Sequence, residues 1–398
     1  MSRSLPWIDA ALEQLQADGL KRERRVSSDS SLISFASNDY LGLSRDHHVI
    51  EAATAALQRY GVGSGASALV TGYTDAHREL ETALADFEDE ESAILFPSGY
   101  AANVGTLTAL MNSEDIVFCE RLNHASLIDG CRLSQAQFQV FRHDQLDRLE
   151  SRLQRSIQYR RRVIVTDSVF SMDGHAADLR SLCEIAERYD AAVVVDEAHA
   201  TGLLGEHGRG VAEWQGVSDR IAVCIGTLSK AIGALGGFVA GPQSFTDWLW
   251  NSARSQMFST SLPPAVCAAA TAAVRIIGND PERRQRVLKL ADSLRSQLTE
   301  AGFTIPKGGV SAIVPVILGD PETTVRWAAE LETRGFLVGA IRPPSVPTGT
   351  SRLRIVVRAD HQLDDIQRLF DALCELRQSL PLNFNRFPSE TKSPEHAI

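Results

Sequence analysis

Ile221-Ala222-Val223-Cys224-Ile225-Gly226-Thr227-Leu228-Ser229-Lys230-Ala231 is an apolar run that ends in a lysine. The run through Ile225 is rich in β-branched residues, the pattern of a strand buried on both faces. The lysine sits among hydroxyls and glycines, with Gly233-Ala234-Leu235-Gly236-Gly237 beyond it and no acid beside it. Surface lysines normally keep charged company. A partly desolvated lysine amine can instead attack a carbonyl and hold it as a Schiff base. Pyridoxal phosphate is the commonest aldehyde held in this way, and Thr227 and Ser229 are placed to donate to its phosphate. Taken alone, the motif also describes a loop lysine beside a strand, so the surrounding chain has to decide.

Working outward, further apolar runs predict strands over 93–96, 116–119, 163–166 and 191–195, with a short return strand over 237–240. Helical stretches separate most of them, which predicts an α/β fold: a mostly parallel sheet covered on both faces. Ser98, His124, Ser171, Asp196, His199 and Lys230 all fall just after the carboxyl ends of these strands. That edge is where open α/β sheets bind ligands. A pyridoxal enzyme needs a carboxylate on the pyridine nitrogen, and Asp196 at the end of an apolar strand suits this. A helix N-cap is the competing reading of Asp196. His199 is spaced to reach the ring's phenolic oxygen and His124 to stack on its face. Ser98-Gly99-Tyr100 opens a helix, whose N-terminal N–H groups suit a phosphate.

Before the sheet, residues 4–18 carry apolar side chains at helical spacing. The cluster Lys21, Arg22, Arg24 and Arg25 is either a solvated turn or an arm that meets an anionic substrate. A short strand is expected over 32–35, and helices over 48–59 and 77–88. After Pro263-Pro264 a long helical region runs to about 301, and residues 303–381 alternate strand and helix again. The chain is therefore divided into an N-terminal helix and arm (1–47), a large cofactor-binding domain (48–280), a small α+β domain (281–381) and a tail (382–398) expected to be disordered.

With 398 residues, 44% hydrophobic and 23% charged, the composition is that of a soluble globular protein. Net charge is −10, and the basic residues are scattered apart from Arg160-Arg161-Arg162, taken here as a solvated turn, which argues against nucleic acid. The six cysteines show neither a disulfide nor a metal-ligand spacing and are expected as buried small hydrophobes. No signal peptide is evident. The most apolar stretch, 265–277, holds Arg275 and is too short for a bilayer, so a cytoplasmic protein without membrane contact is expected.

Seven motifs occur in order: Ser37-Asn38-Asp39-Tyr40-Leu41-Gly42, Ser98-Gly99-Tyr100-Ala101-Ala102-Asn103, Asn123-His124-Ala125-Ser126, Asp167-Ser168-Val169-Phe170-Ser171-Met172-Asp173-Gly174, Val195-Asp196-Glu197-Ala198-His199, Gly205-Glu206-His207-Gly208-Arg209-Gly210 and Thr227-Leu228-Ser229-Lys230. Together they resemble the α-oxoamine synthase family of fold-type I pyridoxal-phosphate enzymes, over roughly residues 4–380. The resemblance implies that Lys230 carries the cofactor and shuttles the Cα proton, while Asp196 pairs with the pyridine nitrogen. It implies that His199 and Ser171 contact the ring hydroxyl, and that His124 stacks on the ring and polarises a thioester carbonyl. Gly99, Tyr100 and Thr227 would hold the phosphate, with Ser259-Thr260 arriving from the second subunit of a homodimer.

Arg354, helped by Asn38, would bind an amino-acid carboxylate, with Ser345 on the substrate side. The run from Ile341 to Arg354, with its paired Pro343-Pro344, is similar to members that join L-alanine to pimeloyl-CoA or pimeloyl-acyl carrier protein. The family's substrate-binding arginine after the first helix falls on Lys21 here. An ammonium does not reproduce a planar bidentate fork, so the cation for the acyl chain's far carboxylate stays open among Lys21, Arg22 and Arg342. The loop Ala66-Ser67-Ala68-Leu69 also lacks an arginine often found there. Glycine C-acetyl transfer, transamination and a cofactor-free partner subunit are the competing activities. Lys230, Asp196 and both histidines argue against the last.

Overall fold

The computed structural model describes residues 5–22, 24, 26 and 31–380. The expected disordered tail and Arg25 lie outside the described residues. The strands are β1 (Ile33–Phe35), β2 (Ser92–Phe96), β3 (Ile116–Glu120), β4 (Gln137–Phe141), β5 (Arg162–Asp167), β6 (Ala191–Asp196), β7 (Val223–Thr227), β8 (Gly237–Gly241), β9 (Ile313–Gly319), β10 (Phe336–Ile341) and β11 (Ser351–Val356). Seven form one sheet in the order β2-β8-β7-β6-β5-β3-β4, in which only β8 runs against the rest. The alternation of side chains along its central strands fills two cores. Ile116, Phe118, Ile164, Val193 and Val195 point to one, and Val117, Cys119, Val163, Val165 and Val194 to the other. Both faces are covered, which is why these strands are near-continuous apolar runs. Each fully buried Val or Ile contributes about 1.5–3 kcal/mol. Gly226 in β7 lies so close to the Phe238 ring of β8 that a Cβ there would stand 2.3 Å from it.

The second sheet has the order β1-β10-β11-β9. The expected strand near residue 33 forms here, as a parallel partner of β10 in the register Ile33↔Phe336. The helical region after Pro263 is two helices, Pro264–Asn279 and Pro281–Glu300. The first packs on His47–Tyr60 and Asp75–Glu88, beside the large sheet; the second packs on β9 and on Leu363–Ser379. Asp280 and Pro281 mark the break, where the Asp280 carboxylate accepts from the Arg283 amide at 3.1 Å.

The structure corrects the sequence reading in four places. Gln137–Phe141 forms an edge strand, β4, that the apolar pattern does not announce, and Phe336–Ile341 forms β10. Of Arg160-Arg161-Arg162, the first two are exposed, as a solvated turn requires, but the third belongs to β5 and is not solvated. Arg162 is buried and donates to the carbonyls of Tyr159, Tyr189 and Asp190, Arg160 makes a two-pronged bond to Asp115, and Arg161 reaches the Leu110 carbonyl. The loop around Ser259-Thr260, expected to serve the second subunit, is also tied down within its own chain. Thr260 bridges Ser67, the Ser261 amide donates to the Ala66 carbonyl at 3.1 Å, and His77 Nε2 lies 2.9 Å from the Leu262 carbonyl. All six cysteines are free, four of them buried and Cys224 and Cys374 half-buried.

Candidate active site

The carboxyl ends of β3, β5, β6 and β7 lie side by side in the parallel sheet, so the segments that follow them converge. Lys230 follows β7. It is half-buried, and its amine makes no hydrogen bond or ion pair among the described residues. Burial lowers its pKa to about 8, against the pull of the Asp196 and Asp167 carboxylates. An amine held there is largely neutral under mildly alkaline conditions and able to act as a nucleophile.

Asp196 is buried at the end of β6. Its Oδ1 accepts from the Ala198 amide at 2.8 Å and its Oδ2 from Asn103 Nδ2 at 2.7 Å. Turns, not a helix, follow it, so the N-cap reading fails. Asp167, directly opposite on β5, accepts from the His124 amide at 2.8 Å. Burial and the nearby Asp196 push Asp167 well above the usual carboxylate range. Asn123 ties the same loop to β5, donating to the Val165 carbonyl and accepting from the Asp167 amide, each at 2.8 Å. His124 caps the helix Ala125–Leu133, with its Nδ1 2.7 Å from Ser126 Oγ.

His199 Nδ1 lies 2.6 Å from the Tyr40 hydroxyl. Burial, with Lys230 and Arg354 nearby, pushes its imidazolium form well down. Tyr40 belongs to the loop after β1, as does Asn38, whose Oδ1 accepts from Arg354 Nη1 at 2.9 Å. Arg354 Nε donates to the Ser171 carbonyl at 2.6 Å. Arg354 is buried and has no carboxylate partner among the described residues. An unpaired buried guanidinium is costly unless an anion completes it.

A cradle lies between β2 and β7. Ser98 caps the helix Gly99–Leu110, accepting from the Ala101 amide at 3.1 Å. The Gly99 and Tyr100 amides belong to the first turn, where N–H groups lack helical partners. A Cβ on Gly99 would stand 3.1 Å from Thr227 Oγ1, which is 2.9 Å from Ser229 Oγ. Close backbone approach, a helix N-terminus and two hydroxyls make an anion site. The Tyr100 side chain turns elsewhere, donating its hydroxyl to Asp129.

Two further groups of expected site residues lie outside this cluster. Thr260 is exposed and bonded to Ser67, with no hydrogen bond to the cluster. Lys21, Arg22, Arg342 and Ser345 meet one another: Arg22 Nη2 donates to Ser345 Oγ at 3.1 Å, and Arg342 Nη2 to the Lys21 carbonyl at 2.9 Å. Tyr40, Asn103 and Ser126 stood in quoted motifs without a role. Their importance lies in contacts between strand ends far apart in sequence, and only the fold shows those.

A half-buried amine without a partner, a carboxylate held by two donors and an anion cradle fit pyridoxal phosphate: a carbonyl carbon, a pyridine nitrogen and a phosphate. Residues 30–373 match the aminotransferase class I and II family, so the chain belongs to that family of pyridoxal-phosphate enzymes with the fold-type I architecture. Within it, the chain falls among the 8-amino-7-oxononanoate synthases. It is 44% identical to 8-amino-7-oxononanoate synthase 2 of Bacillus subtilis strain 168, over 94% of this chain and 98% of that one. It is also 44% identical to the 8-amino-7-oxononanoate synthase of Anaeromyxobacter dehalogenans, over 95% of this chain and 97% of that one. Among solved structures, the serine palmitoyltransferase of Sphingomonas wittichii superposes with a TM-score of 0.88 at 31% identity, covering 94% of this chain and 97% of that one. The 8-amino-7-oxononanoate synthase of Francisella tularensis gives 0.76 at 28% identity, covering 88% and 99%. No helix among the described residues is long and apolar enough to cross a membrane.

Proposed function

We propose that the protein condenses L-alanine with a pimeloyl thioester, on CoA or acyl carrier protein, to give 8-amino-7-oxononanoate, CO2 and free thiol. This is a step of biotin biosynthesis, and the reading places the protein in the cytoplasm. The observation that carries it is Arg354, a buried cation without a carboxylate of its own, set close enough to Lys230 to disfavour the charged amine. An α-amino acid brings the missing carboxylate to Arg354 and Asn38 and its amino group towards Lys230.

Pyridoxal phosphate supplies a sink for the electron pair left at the amino acid's Cα. In this reading Lys230 attaches the cofactor and then moves the proton at Cα. Asp196 keeps the pyridine nitrogen protonated, and His199 and Ser171 contact the phenolic oxygen. Gly99, Tyr100 and Thr227 hold the phosphate, the tyrosine through its amide. His124 covers the ring and polarises the thioester carbonyl. Thr260 would act on the second subunit of a homodimer, as the family resemblance implies. Lys21, Arg22 and Arg342, gathered beside Ser345, supply the cation for the far carboxylate of the acyl chain. A large cofactor-binding part (48–280) and a smaller one (281–381), which β1 joins, belong to the same reading.

The likeness to a serine palmitoyltransferase favours a second reading, with serine and a long acyl thioester. Thiol release with alanine, glycine or serine against pimeloyl-CoA, acetyl-CoA and palmitoyl-CoA separates them. Alanine with pimeloyl-CoA should turn over fastest. Faster turnover of serine with palmitoyl-CoA, or of glycine with acetyl-CoA, would overturn the proposal.

A further inference from the structure

Asp196, Asn103, Ser126 and His124 form one hydrogen-bonded chain, and the Ser126 backbone amide fixes the direction of its last link. An ionised Asp196 carboxylate accepts and cannot donate. It therefore faces the amide nitrogen of Asn103, at 2.7 Å, rather than the amide oxygen. The second proton on that nitrogen points to Ser126 Oγ at 2.8 Å. Asn103 is buried and its Oδ1 has no partner, so the orientation of the amide is set by Asp196 rather than by any need of its own oxygen. Ser126 is fully buried. Having accepted from Asn103, its hydroxyl keeps a proton and a lone pair, and His124 Nδ1 lies 2.7 Å away. The Ser126 amide, which can only donate, approaches the same nitrogen at 3.3 Å, so Nδ1 accepts there and the hydroxyl proton is free to join it. Two donors converge on Nδ1, so Nδ1 presents its lone pair and the ring proton sits on Nε2.

We propose that Asn103 and Ser126 are positioning residues that hold His124 as the neutral Nε2–H tautomer, so that His124 meets the thioester carbonyl as a hydrogen-bond donor and not as a base. The second half of this rests on the function proposed above, while the tautomer rests on the geometry alone. The acid that would hold the pyridine nitrogen thereby also sets the proton on the ring stacked over it. Loss of a charge on Asp196 would free the Asn103 amide to turn over and release the tautomer.

The test is a long-range proton–nitrogen correlation spectrum of the histidine rings in nitrogen-15-labelled full-length protein loaded with pyridoxal phosphate. His124 is assigned by the signal lost in His124→Asn. In the wild type, Nδ1 should resonate as a pyridine-type and Nε2 as a pyrrole-type nitrogen across the neutral pH range. Ser126→Ala and Asn103→Ala should each give a mixture of tautomers, and Ser126→Thr should restore the single form. Turnover with pimeloyl-CoA should fall about tenfold in Ser126→Ala, the scale of one lost hydrogen bond, with the alanine affinity unchanged and with recovery in Ser126→Thr. A wild-type spectrum with the proton on Nδ1 overturns the inference whether or not the variants fold. So does an unchanged tautomer in both alanine variants. The spectrum needs no substrate, so the tautomer is read independently of whether the proposed substrates turn over.

Discussion

At the amino-terminal edge of the seven-stranded sheet, Arg160, Arg161 and Arg162 are each bound within the chain, to Asp115 or to carbonyls at the ends of strands and helices. At the carboxyl edge, Lys230 has no ion pair at all among the described residues and Arg354 is bonded only to neutral groups. Each edge buries a guanidinium, Arg162 at one and Arg354 at the other. One edge completes it internally, whereas the other leaves it for a ligand to complete. A buried cation with a full set of partners is part of the scaffold, and one with partners missing marks a site.

This contrast breaks most sharply at Lys230. Lys230→Ala should abolish turnover and the cofactor's visible absorbance shift, and retention of both would refute the assignment. Asp196→Asn should keep the cofactor but lower the rate by roughly 10²–10³, the scale of losing one preorganised electrostatic partner. Exchange of alanine's α-proton at the wild-type rate in that variant would count against it. Arg354→Ala should weaken alanine binding by about ten- to a hundredfold, from a lost charge-assisted hydrogen bond, and leave thioester inhibition nearly intact. Alanine titrations followed by absorbance decide this, since an unchanged affinity moves the carboxylate site elsewhere.

On the scaffold side, Arg162→Ala should cost about 2–3 kcal/mol in urea unfolding while activity per folded molecule stays at the wild-type level. A loss of activity without a loss of stability would erase the distinction between the edges. The mildest effect concerns pH. The reactive form of Lys230 is the neutral amine, and its pKa lies at about 8 instead of 10.5. Capture of added pyridoxal phosphate by stripped protein should therefore rise about tenfold per pH unit at acidic pH and level off near 8. A rate still climbing at about pH 10 would mean an ordinary, solvated lysine.

Much of this is legible in the chain itself. β3, β5, β6 and β7 stand out because burial on both faces makes them apolar at nearly every position. β4 escapes notice because Gln137-Phe138-Gln139-Val140-Phe141 lies at an edge, where only Phe141 is buried. β10 carries a glycine and adjoins the motif around the paired prolines, a composition that also suits a loop. Arg162 cannot be told from a solvated arginine, because its partners are mostly carbonyls, which any sequence supplies, and its one carboxylate, Asp190, lies far along the chain. The partner of Thr260 is hidden for a related reason: a bridge to Ser67 joins two loops, neither with a periodic pattern. The polar residues at the strand ends are visible one by one. The chain from Asp196 to His124 crosses several elements, so no local pattern announces it.

The pairing of Ile33 with Phe336 has a consequence for how the protein is made. A ribosome releases β1 early, and its neighbour in the sheet only after some three hundred further residues. Until then the short strand has no hydrogen-bonding partner, and Asn38 behind it must wait for Arg354, although His199 is already there for Tyr40. The large sheet, whose strands all lie between Ser92 and Gly241, can form from what has already emerged. The nascent chain thus acquires its lysine pocket well before Arg354 arrives to close the carboxylate end. A chain cut short before β10 and β11 would keep the strand ends that carry Lys230 and Asp196 but lack any means of anchoring an amino acid beside them.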